Sequence, residues 1–161
     1  MAQNRGKQFE NIIKMEFESI SGVSIDRLHD QTTGFRGSQN ICDFIVYKKP
    51  YEYYIECKSV HGNTFPFSNI TDRQYYGLLD KSQIKGVFAG VIVWWIDKDR
   101  TLYIPIQTIK SMKECGGKSI ASTINCEVGI IEIPFEKKRV FCKYDMDYFF
   151  HTIEKINRRE V

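Results

Sequence analysis

The sequence is nearly without net charge: 23 lysines and arginines stand against 20 aspartates and glutamates, a formal +3 over 161 residues. No polybasic character marks it for nucleic acid, although a basic face around an acidic pocket is compatible with so small a balance. Cys-x-x-Cys is absent, and the five cysteines (Cys42, Cys57, Cys115, Cys126, Cys142) are an odd number. Both facts disfavour a disulfide framework and a structural zinc site, and point to reduced thiols. There is no run of about 18 apolar residues, and Met1 to Lys7 holds no apolar signal core. The expectation is a soluble, cytoplasmic protein that does not enter a membrane. Internal repeats, low-complexity tracts and linkers are also missing, so residues 1–161 are read as one domain.

What is present suffices for a core. Hydrophobic residues make up 42% and aromatics 14%, which argues for a folded globule. Phe9, Ile12, Ile13, Phe17 and Ile20 recur at helical spacing between Lys7 and about Ile20. Ser21 to Asn40 is polar and glycine-punctuated, a long loop with a short strand at Val23–Ile25. Thr71 suits an N-cap and Asp72 the first turn of a helix running to about Ile84. Val87 to Ile96 is almost wholly apolar, as in a central strand buried on both faces. Further strands are expected at Leu102–Ile106, Gly129–Pro134 and Arg139–Cys142, with a short helix at Ile109–Glu114 and a closing helix at Asp147–Arg158.

Chemistry concentrates in residues 42–58. Two aromatic-rich runs, Cys42–Tyr47 and Glu52–Lys58, flank the Pro-containing break Lys48–Tyr51 and read as a hairpin. With that break as the loop, Tyr47 pairs with Glu52 and Asp43 falls opposite Glu56. Opposed residues have Cβ atoms about 4.5–5.5 Å apart, so two carboxylates there would repel unless a cation lies between them. Strand alternation puts Glu56 and Lys58 on one face, with Ile55 and Cys57 on the other. Mg²⁺ takes oxygen ligands and few protein carboxylates, and a nearby lysine would orient or activate a water. Three residues of common type also arise as an edge hairpin carrying solvated charges, so the trio needs context.

That context is a set of blocks: Gly6-Lys7-Gln8-Phe9-Glu10, Asp43-Phe44, Glu56-Cys57-Lys58, and Phe65-Pro66-Phe67 followed by Gln74. In this order and spacing, over roughly Gly6 to Trp95, the chain resembles the PD-(D/E)xK nuclease superfamily. Within it the likeness is to the RecU-type Holliday junction resolvases, including short phage relatives. The resemblance implies an α/β fold with a restriction-endonuclease-like core, a central mixed β-sheet flanked by helices in αβββαβ order. It also implies a metal-dependent endonuclease, generally a homodimer, acting on branched double-stranded DNA in recombination. Asp43 and Glu56 would hold Mg²⁺ (Mn²⁺ substituting), helped by the Cys57 backbone carbonyl, and Lys58 would position or activate water. Glu10 would add a carboxylate from the first helix, and Gln74 a polar contact. Two departures stand out. Cys42 occupies the place of a proline or threonine, and only Val23 to Cys42 fills an interval where RecU proteins carry a long insertion. The second puts strict four-way-junction selectivity in doubt.

Candidate DNA contacts are Arg27, Arg36 and Gln39 in the long loop, and Lys138 and Arg139 in a late basic cluster with Lys137, Lys143, Arg158 and Arg159. A solvated loop and a solvated surface explain both groups about equally well. Competing readings are a structure-selective DNA-binding protein without catalysis, a restriction or repair nuclease on the same scaffold, and an interaction module with an ordinary charged hairpin.

Overall fold

The apolar runs assemble into one sheet with helices on both faces. The computed structural model describes residues 4–28, 40–126, 129–139 and 142–159. Its first half runs α1 (Arg5–Glu18), β1 (Val23–Arg27), β2 (Phe44–Lys48), β3 (Tyr51–Val60), β4 (Thr64–Pro66), α2 (Asp72–Ser82) and β5 (Val87–Trp95). Then follow β6 (Arg100–Pro105), α3 (Ile106–Glu114), β7 (Ser119–Ala121), β8 (Ile131–Glu132), β9 (Phe135–Lys137), β10 (Cys142–Tyr144) and α4 (Met146–Arg159). Apart from the short β4, the segment to β5 has the expected αβββαβ order.

Six strands form a mixed sheet in the order β1-β2-β3-β5-β6-β8. Only β3 and β5 are parallel, and α2 lies on the crossover between them. All other pairings in this sheet are antiparallel. Because β3 and β5 are central they are covered on both faces, and Tyr53 to Cys57 and Ala89 to Val93 are buried without a break. One face carries α1 and α4, whose Phe9, Ile13, Phe17, Phe149 and Phe150 pack with Tyr53, Ile55 and Ile92. The other carries α2, α3 and the β4–β7 ribbon, with Leu78, Ile106, Ile109 and Phe65 around Val91 and Trp95. No helix among the described residues is long and apolar enough to cross a membrane.

Several boundaries differ from the sequence reading. The hairpin ladder reaches Lys48 opposite Tyr51, so the turn is Lys49-Pro50 rather than four residues, with the expected register of Tyr47 against Glu52 intact. Helix α3 starts at Ile106, directly after Pro105, and not at Ile109. A proline just before the first turn lacks only an N–H that the helix would not use. The stretch between β3 and α2, expected as loop, holds β4 and a single 3-10 turn at Phe67–Asn69. Arg139 is not in a strand. The late strand begins at Cys142 and pairs with Phe135–Lys137 in a separate two-stranded ribbon.

Candidate active site

The β2–β3 hairpin delivers the central pair. Its ladder ends at Phe44 opposite Ile55. Beyond that point the Asp43 N–H donates to the Ile55 carbonyl at 3.1 Å, one residue short of the Glu56 that regular pairing would reach. This bulge-like slip turns Asp43 out of the ladder. Its carboxylate Oδ2 instead accepts the Cys57 N–H at 2.8 Å, taking over a bond the ladder would have made. On the other side the Asp43 carbonyl accepts the Leu28 N–H at 2.8 Å. The acid is therefore held by backbone on two neighbouring strands.

Glu56 is the most anomalous residue of the fold. It sits in a central strand beside Val91, only 2% exposed. Its Oε1 accepts from Lys58 Nζ at 2.8 Å and from Gln74 Nε2 at 2.7 Å. Its Oε2 is buried and has no partner. An ionised carboxylate so placed is among the costliest features a core can carry, unless further positive charge reaches it. Gln74 is aimed by its helix: Thr71 caps α2 by accepting the Gln74 N–H, and Gln74 Oε1 accepts the Thr71 N–H at 3.0 Å. That capping box fixes the amide oxygen, so the amide nitrogen must face Glu56. α2 lies so close to the segment before Asp43 that a Cβ at Gly77 would be 2.3 Å from Ile41 Cγ2.

Glu10 comes from the opposite face. It is the partner of Arg27, Nη2 to Oε2 at 2.6 Å, and the same guanidinium donates to Asn11 at 2.8 Å and lies over the Phe44 ring. Lys14, a possible i+4 partner of Glu10, pairs with Glu18 instead. Burial pushes the Asp43 carboxyl up to about 6, with Glu10 adding to the rise while the Cys57 N–H, Lys58 and Arg27 oppose it. Burial, reinforced by Asp43, pushes Glu56 up to about 8, and Lys58 opposes. Asp43 thus raises Glu56, and Glu10 raises both. The Cys57 thiol beneath them is fully buried and its pKa lies well above the ordinary thiol value, which leaves it inert.

The family model of RecU, recombination protein U, matches residues 7–144. The chain belongs to the RecU family. It is a family of Holliday junction resolvases, so nuclease chemistry, DNA binding and recombination come with membership. No curated protein matches the chain. Among solved structures, the chain is similar to Hjc of Archaeoglobus fulgidus, a Holliday junction resolvase from an archaeal hyperthermophile. The identity is 17%, with 63% of this chain and 78% of that one covered at a TM-score of 0.48.

Do the residues of this RecU-family site fit a divalent metal? Among the described residues no three His, Cys, Asp or Glu side chains form a ready cage. Mg²⁺ does not need one, since it keeps several waters and takes one or two carboxylates. Two carboxyls whose ionised forms burial disfavours and an orphaned buried oxygen fit that requirement.

Arg36 and Gln39 lie outside the described residues. Arg27 has its guanidinium on Glu10 and Asn11, and Lys138 pairs with Glu136. Lys137 binds Asp99 at 2.7 Å, while Arg139 is exposed. The Arg27–Glu10 pair escaped the sequence reading because its members lie 17 positions apart, with no local pattern linking them. A cavity of about 850 Å³ lined by Pro50, Gln83, Gly86, Pro105 and Ile156 includes none of the candidate metal or catalytic residues, and of the basic cluster only Arg158 lines it.

Proposed function

We propose that this chain is a divalent-metal-dependent endonuclease that cuts branched DNA, with Asp43 and Glu56 as its metal ligands. The observation that carries this reading is the Glu56 carboxylate, buried in a central strand beside Asp43 with one oxygen unpartnered. In this reading the Cys57 carbonyl assists the two side chains, and Glu10 supplies a further negative charge. Mg²⁺, or Mn²⁺ in its place, would supply Lewis-acid charge at the scissile phosphate and a more acidic water. Lys58 is held by Glu56 on one side and is 24% exposed, which leaves its ammonium able to hydrogen-bond the attacking water or the developing phosphorane charge. Gln74 holds Glu56 Oε1, so that Oε2 remains the free ligand atom. The enzyme acts in the cytoplasm as a homodimer, whose two-fold symmetry presents two sites to opposed strands of a junction. The short interval between Val23 and Cys42 favours activity on other branched duplexes as well.

The test is Asp43→Ala. Junction binding in EDTA should equal or exceed that of the parent, while the cleavage rate in Mg²⁺ should fall by about 100-fold or more. Normal cutting by this variant would refute the assignment.

A further inference from the structure

The cations nearest the candidate site are internally engaged, Lys58 by Glu56 and Arg27 by Glu10. A DNA strand crossing it needs further donors. One stands at the same end of the sheet and has no role in the site so far described. β3 and β5 run parallel and finish together, Val60 beside Trp95. Just past their ends, His61 Nδ1 and Asp97 Oδ1 are 2.9 Å apart, and Asp97 Oδ2 accepts the Gly62 N–H at 2.7 Å. Gly62 has φ +82°, a left-handed conformation that suits glycine and that turns its N–H toward Asp97. The next residue is anchored too, since the Asn63 carbonyl accepts the Ser122 N–H at 2.8 Å. This loop is therefore fastened to two other segments, yet His61 itself is 66% exposed.

We propose that His61, braced by Asp97, is a phosphate-contacting residue for the DNA strand that lies across the site. A carboxylate accepting at Nδ1 fixes the ring and leaves Nε2 as the edge available to a ligand. A neutral ring would present an acceptor there, so a phosphate selects the imidazolium, with Asp97 as counter-charge on the far side. Asp97 stays ionised because the Gly62 N–H, then His61, holds its pKa below the usual carboxylate value, and the neighbouring Lys98 acts in the same direction. His61 follows Lys58 by three positions, about 10 Å along an extended chain. Duplex DNA carries one phosphate per about 3.4 Å of axis on each strand, so this reach covers a few nucleotides beside the cut. Asp97 orients the ring and does not itself touch the strand.

The inference rests on the nuclease reading, and the experiment separates the two. Four-way-junction affinity is measured in EDTA at pH 6, inside the range where histidine takes up a proton, across a salt series for the parent, His61→Ala and His61→Lys. Melting temperatures are recorded alongside. Loss of a phosphate contact should lower affinity roughly 5-fold and reduce the magnitude of the log–log salt slope by roughly 1, with His61→Lys restoring it. A His61→Ala slope equal to the parent's overturns the proposal, and with a lowered melting temperature it makes the pair a fold staple only. Failure of His61→Lys to restore the slope overturns it as well. If the parent cuts junctions and only the slope is unmoved, the nuclease reading survives; if the parent neither binds nor cuts, both fall.

Discussion

At the scale of single residues, Glu56 governs the pH behaviour of the site. Its carboxyl and that of Asp43 bind protons more tightly in the folded chain, at about 8 and about 6, than at their ordinary values of 4.5 and 3.8. A carboxyl raised by folding contributes its full stabilising effect below the unfolded pKa and loses it as pH rises through the folded one. The metal-free protein should therefore lose stability between about pH 4 and pH 8. A domain of this size shifts by about 2–4 °C per kcal/mol, so the melting temperature in EDTA should drop by about 10 °C from pH 5 to pH 8.5. Mg²⁺ should restore much of that loss at pH 8.5 and little at pH 5, where protons compete for the ligands. Glu56→Gln should flatten the profile. A profile that rises with pH in EDTA would mean that the two acids are solvated. The residue pattern already carried this pair, because alternation puts Glu56 and Lys58 on one face. It did not show that the face is buried. That follows from β5 and α2 closing over the strand, partners 18 or more positions away.

At the scale of elements, α2 couples its own start to the site. Thr71 as N-cap and Gln74 in the first turn were both legible, since the cap has a chemical signature. Which amide atom meets Glu56 depends on how the helix docks on the sheet. The two functions of Gln74 can be separated by substitution. Thr71→Ala removes the hydroxyl cap and should lower stability by about 1 kcal/mol, with cleavage changed little. Gln74→Glu keeps an acceptor for the Thr71 N–H but sets a carboxylate against Glu56. Its cleavage rate should fall by about 10-fold or more while the helix cap survives. Equal activity of Gln74→Glu and the parent would show that the Gln74–Glu56 bond has no part in the chemistry. The strands that sequence missed, β4, β7 and β9, are three residues each, and β4 pairs with β7 through Phe65 and Ile120. Strands so short have no period to read, and β4 and β7 lie too far apart for a turn signal to announce them.

At the scale of the whole molecule, the αβββαβ order brings a helix to each side of the β2–β3 hairpin. α1 brings Glu10 to one face of the sheet and α2 brings Gln74 to the other, with Asp43 and Glu56 between them. Layering and chain order followed from hydrophobic period and from the family's blocks. The electrostatic consequence, two buried acids with raised pKa values and Asp43 adding to the rise at Glu56, required the packed structure. The most direct measurement is cleavage of an end-labelled mobile four-way junction and of a linear duplex by the parent and by Glu56→Ala, in Mg²⁺ and in EDTA. The expected result is junction cuts by the parent in Mg²⁺ alone, and none above background by Glu56→Ala. Cutting that persists in EDTA, or that Glu56→Ala performs as well as the parent, would refute a metal held by Glu56.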